Sequence, residues 1–433
     1  MSTGLLKVAE RAKREPDARF NSLAHLVDEA ALGRAFDRIR KDAAVGVDGT
    51  TKERYGQQLE ENLRGLHERL RTMRYRHQPI RRVHIPKADG KTRPIGISSL
   101  EDKIVQGALR EVLEAIYEQD FLECSYGFRP KRSAHDALRA MHQMVFREEI
   151  AVILEADIQA YFDSIDRKKL LELLQIRVAD PPFLRLIGKC LNVGVLDGEE
   201  VSRPDEGTAQ GSSISPMFGN VYLHYGLDLW FERDIKPRLK GHARLIRFAD
   251  DFVMGFERQD DAVRVMEVLH RRMSKYGLTL HPDKTRLIPF MRPRHGQNDR
   301  SGPGTFDFLG FTMYWCRTRR GGWRPGMKTR KARIQRALVA LGEWCRRHRH
   351  LSLKDQHAAL SRRLRGHYQY FGVNGNSRSL QQVRYRTERL WLKGLRRRGQ
   401  RRHRLTWERF SAYLKAHPLP SPRVSVQIWA RAP

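Results

Sequence analysis

Residues 245–256 read LIRFADDFVMGF, in which two apolar runs flank the adjacent acids Asp250 and Asp251. Runs rich in branched and aromatic side chains predict two buried β-strands, and the short break between them predicts a hairpin. Two neighbouring carboxylates raise each other's pKa unless a cation lies between them. The stretch therefore fits either a solvated Asp-Asp turn or part of a site for divalent cations.

A third acid, Asp157, stands near the end of the apolar run AVILEADI at residues 151–158. The run predicts another buried strand, where an unpaired charge would be costly to bury. If this strand lies beside the hairpin, Asp157, Asp250 and Asp251 converge and can hold two Mg²⁺ ions about 4 Å apart. Mg²⁺ takes carboxylate oxygens, keeps waters and accepts phosphate oxygens. Taken alone, Asp157 fits a strand-end salt bridge or a helix N-cap equally well.

The segment GTAQGSSISP at residues 207–216 lies between these two acidic elements. A flexible Gly/Ser loop that enters a helix offers backbone N–H groups to a phosphate or a primer backbone. Its composition fits a plain loop before a helix equally well.

The rest of the first 290 residues mixes predicted helices and strands, which indicates an α+β body. Apolar periodicity predicts helices over 22–75, 101–119 and 260–276, a hairpin over 80–98, and a return toward a strand over 278–287. Residues 291–433 differ, because they carry 34 Lys/Arg against only 6 Asp/Glu. Their apolar residues recur at helical spacing and predict a four-helix bundle with Arg on its outer faces, beginning near Gly321-Gly322.

The net charge of +32 needs a polyanionic partner, and nucleic acid is the usual one. An anionic membrane surface is the rival partner, but it requires a basic helix with a wide, free apolar face. The sequence has no run of 18 apolar residues and no signal-like N-terminus, so a cytoplasmic protein without a membrane partner is expected. The spacing of Cys124, Cys190, Cys316 and Cys345 predicts separate, partly buried thiols rather than a zinc knuckle or disulfides.

At this point the chain resembles the reverse transcriptases of group II introns, the intron-encoded maturase proteins, over most of its length. The motifs that carry the resemblance appear in order as GVDG (46–49), IPK (85–87), TRP (92–94), ADI (156–158), YFD (161–163), QG (210–211), SP (215–216), FADD (248–251), GLTL (277–280), KT (284–285), FLG (308–310) and LRGHYQYFG (364–372). Each is weak alone, and their number, order and spacing make the match specific.

The resemblance implies a right-hand polymerase, with fingers and an antiparallel palm sheet followed by an all-α basic thumb or maturase (X) domain. Residues 1–75 would form the N-terminal extension and the start of the fingers, residues 76–320 the fingers and palm, and residues 321–433 the thumb. It also implies an RNA template, here an intron RNA, a DNA primer or target, and dNTPs. The thumb would bind structured RNA through phosphates, 2′-hydroxyls and shape, with Trp391 and Tyr368 more simply explained as bundle core.

The roles of single residues also follow from the resemblance. Asp157, Asp250 and Asp251 would be catalytic and would bind two Mg²⁺ ions, or Mn²⁺ in their place, with the carbonyl of Ile158 as a further metal ligand.

Five residues, together with Ile158, would form the dNTP site. Lys87 and Arg93 would grip the triphosphate, where the forked donors of arginine suit phosphate oxygens. Gln210 would touch the sugar or base, and Lys284 would donate a proton to the leaving pyrophosphate. Phe162 would lie under the sugar and exclude a 2′-hydroxyl; without the resemblance it is simply a core residue.

Two departures from the family pattern stand out. The loop at 211–214 reads GSSI, where the family often has more apolar residues, and no cysteine-containing nuclease domain is expected. Three other functions stay open. An RNA-only splicing cofactor is disfavoured because all three acids are present, and an RNA-directed RNA polymerase is disfavoured by Phe162. A domesticated relative acting in phage defence or repair would have the same sequence features.

Overall fold

The computed structural model describes residues 2–86, 92–197, 200–202, 207–208, 211–293, 304–318, 320–398 and 405–429. The N-terminal part is helical, as predicted, and consists of α1 (Thr3–Arg14), α2 (Glu29–Arg38), α3 (Lys52–Gly56) and α4 (Leu59–Arg71). These helices pack around α5 (Leu100–Asp120), which begins where the Ser99 hydroxyl accepts a hydrogen bond from the backbone N–H of Asp102. The apolar face predicted for this helix is fully buried, and α5 therefore forms the spine of the body.

Further helices connect the body's strands: α6 (Ala134–Arg147), α7 (Arg167–Gln175), α8 (Pro181–Leu191), α9 (Ser215–Leu223) and α10 (Gln259–Lys275). After α9 the chain continues through two π-helical segments, at His224–Asp228 and Trp230–Ile235. Single π-turns of this kind are uncommon and frequently lie near functional sites.

An antiparallel sheet with the order β6-β7-β3-β8 carries the predicted strands. It contains β3 (Val152–Asp157), β6 (Ala243–Phe248), β7 (Asp251–Phe256) and β8 (Arg286–Pro289). The hairpin β6–β7 and its pairing with β3 confirm the prediction from the two apolar runs. The last strand begins later than predicted, because Pro282–Lys284 forms a 3₁₀ turn before it.

The predicted hairpin over 80–98 is also present, as β1 (Ile80–Pro86) and β2 (Thr92–Ile97). Two short strands, β4 (Val195–Asp197) and β5 (Glu200–Ser202), extend it into a sheet with the order β2-β1-β4-β5. The sequence did not reveal this extension, because three-residue strands are too short to show a period.

A third sheet was not predicted. It consists of β9 (Phe306–Phe308), β10 (Phe311–Arg317) and β11 (Trp323–Thr329), and its core side chains share a hydrophobic cluster with α6 and the β6–β7 hairpin. Gly321-Gly322, where the sequence analysis divided the chain, lies at the tip of the β10–β11 hairpin, and the next helix begins at Lys331.

The basic C-terminal part contains the four predicted helices: α11 (Lys331–Arg347), α12 (Leu353–Phe371), α13 (Ser377–Leu395) and α14 (Trp407–Ala416). They pack around a core of their own. Trp391 is fully buried and Tyr368 nearly so, which confirms that these aromatics belong to the bundle core. Arginine side chains are left on the outer faces.

None of the helices in the described part of the chain is long and apolar enough to cross a membrane. All four cysteines are free thiols, as predicted. Cys124 and Cys345 are buried, whereas Cys190 and Cys316 are partly exposed.

Candidate active site

The candidate site is built on the pairing of β3 with β7. Asp157, the last residue of β3, lies directly opposite Asp251, the first residue of β7. Side chains of directly opposed residues leave the same face of an antiparallel sheet, with Cβ atoms about 5 Å apart. The two acids that stand 94 positions apart in the sequence are therefore neighbours, and Asp250 lies in the adjoining turn.

The turn that carries Asp250 is held in an uncommon backbone conformation. Ala249 has a φ of 58°, in the left-handed region that residues with a Cβ seldom adopt. Gly127 packs against the peptide between Phe248 and Ala249 so closely that a side chain at position 127 would collide with the backbone. A close fit of this kind fixes the strained turn from outside, which is how such strain persists at functional sites.

Asp251 sits in a strongly anionic, partly buried environment. Burial, together with repulsion from Asp157 and Asp250, raises the pKa of Asp251 to about 7. The backbone N–H of Leu309 donates to this carboxylate and opposes the shift. Leu309 lies in the turn between β9 and β10, and its own carbonyl accepts a hydrogen bond of 2.8 Å from the hydroxyl of Tyr370 on α12. Leu309 therefore connects Tyr370 of the C-terminal helix α12 to the carboxylate of Asp251.

Two cations lie along the acidic edge of β3. Lys284 Nζ donates to Asp157 Oδ2 at 2.5 Å, although the lysine side chain is 58% exposed. Two residues earlier on the same face of the strand, Glu155 pairs with Arg286 at 2.9 Å. Each of these acids is thus paired with a cation, Lys284 just before β8 or Arg286 at the first position of β8.

Comparison with known proteins identifies the family. Residues 85–313, just over half of the chain, match the family described as "Reverse transcriptase (RNA-dependent DNA polymerase)". The chain belongs to the reverse transcriptase family.

Named relatives narrow this assignment. Protein YkfC of Escherichia coli K12 is 32% identical over 353 residues, which cover 73% of this chain and 89% of the relative. The group II intron-encoded protein LtrA of Lactococcus lactis subsp. cremoris is 38% identical over 212 residues, covering 47% of this chain and 35% of LtrA. An uncharacterized 91 kDa protein in the cob intron of Schizosaccharomyces pombe is 44% identical over 155 residues, covering 36% of this chain and 19% of that protein.

The chain thus spans most of YkfC but only about a third and a fifth of the other two. These relatives confirm the resemblance to reverse transcriptases of group II introns, and the family confirms the prediction of an RNA-directed DNA polymerase.

A buried arginine, which the sequence analysis overlooked, supports the acidic turn of this reverse transcriptase. Arg247 is 0% exposed and lies two positions before the turn residue Ala249, whose carbonyl accepts a 3.0 Å hydrogen bond from Arg247 Nη1. The same guanidinium pairs with Asp228 and donates to Asn220 Oδ1 and Ser125 Oγ. Its only sequence signal was a charge inside an otherwise apolar strand.

Phe162 lies in the short 3₁₀ turn Tyr161–Asp163 that follows β3. Its carbonyl accepts a hydrogen bond of 2.7 Å from the backbone N–H of Thr208, which ties this turn to the Gly/Ser loop. Gly219 of α9 packs against the rings of Tyr161 and Phe162. A Cβ atom at position 219 would lie 3.2 Å from the ring of Phe162. The ring is therefore held in place from the side of α9.

The remaining predicted residues are placed only in part. Lys87 and Gln210 lie outside the described residues. Arg93 belongs to β2, where it pairs with Ile85, and Ile158 is buried and bridges to Leu280. Gly211, with a φ of 112°, approaches β2 so closely that a Cβ would meet the carbonyl of Gly96. The Gly/Ser loop and the β1–β2 hairpin are consequently in direct contact.

The three acids of the site are the candidates for binding a metal ion. No group of three or more His, Cys, Asp or Glu side chains within the described ranges is arranged to hold a metal ion. The acids of this site nevertheless fit a divalent cation. The charges of Asp157 and Asp250 disfavour the ionised form of Asp251, and a divalent cation would relieve that repulsion. Reverse transcriptases as a family use divalent metals, and carboxylate oxygens suit Mg²⁺ or Mn²⁺.

Proposed function

We propose that this chain copies RNA into DNA at a centre formed by Asp157, Asp250 and Asp251. The observation that carries the proposal is the register that sets Asp157 opposite Asp251, beside the turn of Asp250. Two bound Mg²⁺ ions would supply charge neutralisation for the attacking and leaving oxygens. The carboxylates of these residues, with the carbonyl of Ile158, would hold them.

In this proposal the other predicted residues bind and orient the incoming dNTP. Lys87 and Arg93 would hold the triphosphate, and Gln210 would contact the sugar or base. Phe162 would present its ring to the sugar and exclude a 2′-hydroxyl, which is supported by its fixation between Thr208 and Gly219. Lys284 would give a proton to the leaving pyrophosphate, since its ammonium already lies against Asp157.

The decisive experiment is dNTP incorporation on an RNA template with Mg²⁺, comparing the natural chain with Asp250→Asn. We expect activity to fall by about 10³-fold or more, because phosphoryl transfer depends on charge placement at the reacting oxygens. Asp260→Asn, which alters an exposed acid on α10, is the matched control and should retain activity. Thermal unfolding of both variants should stay close to that of the natural chain, since removal of Asp250 also removes repulsion. Equal polymerisation by the Asp250→Asn variant and the natural chain would refute the proposed centre.

The C-terminal helices, within residues 321–433, would bind structured RNA as a thumb and maturase domain. A groove between α11 and α13 supports this, because Arg346, Arg386, Arg389, Lys393 and Arg397 line it. Cations that neutralise several phosphates give an affinity that falls steeply with salt. A protein that binds a group II intron RNA in this way would assist its folding and splicing and then copy it, in the cytoplasm where that RNA is made.

This part of the proposal is tested by RNA binding at several salt concentrations. Arg386→Glu with Lys393→Glu should weaken binding to a group II intron RNA. The slope of log affinity against log salt concentration should become shallower by about two or more. Reversing Arg11 and Arg14 on α1 changes the net charge equally and serves as the control. If both pairs weaken binding equally, the groove has no specific role.

A further inference from the structure

A second cluster of reactive side chains lies away from the acidic site, where α8 meets the segment before β1. Cys190 Sγ is 3.1 Å from His77 Nε2, and His77 Nδ1 is 2.6 Å from Asp102 Oδ1. The side chains of His77 and Asp102 are only 3% and 2% exposed, whereas Cys190 is partly exposed. A nucleophile next to a base that a third group orients is the arrangement that activates cysteine.

The carboxylate of Asp102 is fixed independently of the histidine. It accepts hydrogen bonds of 2.6 Å from the Tyr75 hydroxyl, 2.7 Å from the Ser99 hydroxyl and 3.1 Å from the backbone N–H of Gln78. Burial alone would raise its pKa, but the contacts with His77, Tyr75 and Ser99 outweigh burial and lower it. Asp102 is thus an immobile carboxylate whose Oδ1 lies 2.6 Å from Nδ1 of the imidazole.

The histidine is correspondingly held in its charged form. Burial lowers the pKa of His77, but the opposing influence of Cys190 and Asp102 is larger and raises it to about 10. The imidazole Nε2 lies 3.1 Å from the sulfur, at hydrogen-bond distance, so the two groups can share a proton. Lys189, next to Cys190 on α8, donates to the carbonyls of Met73 and Tyr75. These hydrogen bonds hold α8 against the segment that precedes β1.

The surroundings favour an anionic reagent. His77 forms part of the wall of an open cavity, and Arg76, Arg185 and Lys189 line the same cavity. Arg76 and Arg185 are exposed, and no acidic side chain is among the residues that line it in the described structure. Cys190 is not among the lining residues but contacts His77, which is. A small molecule with carboxylates would be attracted to this mouth.

We propose that Cys190, His77 and Asp102 form a second reactive site, at which Cys190 exchanges with small anionic disulfides. The Cys190 thiolate attacks one sulfur of the disulfide, a new S–S bond forms as the old one breaks, and the departing thiolate takes up a proton from water. Cys190 is thereby oxidised to a mixed disulfide while one half of the reagent is reduced to a thiol. The reagent is its own oxidant, so the exchange needs no other partner.

The test measures the rate of modification of each cysteine in the full chain by mass spectrometry. The probes are glutathione disulfide and, as an alkylating measure of thiolate, iodoacetamide. Because an unperturbed thiol is only about 3% ionised at pH 7, a neighbouring group that shares its proton raises the rate of attack. We expect His77→Asn to slow modification of Cys190 about tenfold at pH 7, while the partly exposed Cys316 reacts unchanged.

The charge of the probe supplies a further readout. His77, Asp102, Tyr75 and Lys189 are the charged or titratable groups that face the site. Arg76→Glu with Arg185→Glu leaves the triad intact and should slow glutathione disulfide more than the neutral iodoacetamide. A Cys190 rate unaffected by His77→Asn in a folded variant, or arginine substitutions that slow both probes equally, overturns the proposal.

Discussion

Arg247 and Asp228 form an ion pair from which solvent is excluded, with both side chains 0% exposed. Arg247 Nε donates to one carboxylate oxygen at 2.8 Å and Nη2 to the other at 2.6 Å. The remaining donors of the guanidinium reach the turn residue Ala249 and the side chains of Asn220 and Ser125. One buried side chain thus links the π-helical segment after α9 to the turn that presents Asp250 and Asp251.

Substitution of this arginine should affect both stability and activity. Arg247→Met leaves the Asp228 carboxylate buried without its partner, so the free energy of unfolding should fall by about 3–5 kcal/mol. RNA-templated dNTP incorporation should fall as well, because the Ala249 carbonyl loses the donor that fixes the acidic turn. Denaturant unfolding and polymerisation assays measure the two effects. Arg258→Met, which removes an exposed arginine paired with Asp260, is the matched control and should leave stability nearly unchanged.

A double substitution separates positioning from folding. Arg247→Met with Asp228→Leu removes both charges, and replacement of a buried ion pair by apolar residues is often close to neutral for stability. We expect most of the stability to return and the polymerase activity to stay low. Recovery of both together would mean that Arg247 serves only to hold the fold.

The sequence predicted those parts of this molecule that depend on local pattern. The apolar runs around Asp157 and Asp250 were long enough to predict β3, β6 and β7. In the structure these strands pair with one another in one sheet, in which their apolar side chains are buried. The side-chain network of Arg247 was not predictable, because Asp228, Asn220 and Ser125 come from segments whose positions depend on tertiary packing.

Long-range contacts escaped prediction for the same reason. Cys190 and His77 lie 113 positions apart, and neither belongs to a recognisable pair in the sequence. The sheet β9–β11 was not predicted. Its strand β10 alternates regularly between buried and partly exposed residues, whereas Pro325 and Gly326 interrupt the strand pattern within β11. The contact of Tyr370 with Leu309, which brings α12 to the acidic site, required the packed structure.

Lys284 tests whether a cation at the acidic edge serves chemistry or only stability. Its ion pair with Asp157 is largely exposed, so Lys284→Ala should change the free energy of unfolding by less than about 1 kcal/mol. If its ammonium donates a proton to pyrophosphate, kcat should fall by about 10²-fold with little change in the KM for dNTP. Arg286→Ala removes the neighbouring cation, which pairs with Glu155, and should leave kcat within about threefold. Equal losses in the two variants would indicate a general electrostatic effect.

Gly219 offers a test of the position of Phe162 that leaves the phenylalanine itself in place. A methyl group at this position would lie 3.1 Å from the ring of Tyr161 and 3.2 Å from the ring of Phe162, so both rings must shift by a few tenths of an ångström. We expect Gly219→Ala to reduce the preference for dNTPs over rNTPs by about tenfold, measured as the ratio of kcat/KM values. Gly65→Ala on α4 meets no atom within 4 Å and should leave this preference unchanged while slightly stabilising the helix. A preference unchanged by Gly219→Ala would argue against contact between Phe162 and the sugar.

His142 should make the fold sensitive to acid. Its ring stacks on Trp429 at 4.8 Å, and burial, together with the nearby Arg324 and Arg147, lowers the pKa of His142 to about 4. The unfolded chain therefore binds this proton more readily than the folded chain between about pH 6.5 and pH 4, because an unperturbed histidine has a pKa of about 6.5. Stability is fully present above pH 6.5 and declines as the pH falls through this window, by an amount on the order of 3 kcal/mol.

His142→Phe keeps an aromatic ring against Trp429 but cannot titrate, so its unfolding free energy should fall less than that of the natural chain between pH 6.5 and 4. Parallel pH profiles for the two proteins, followed by denaturant unfolding, would show that His142 is not the source of the acid sensitivity.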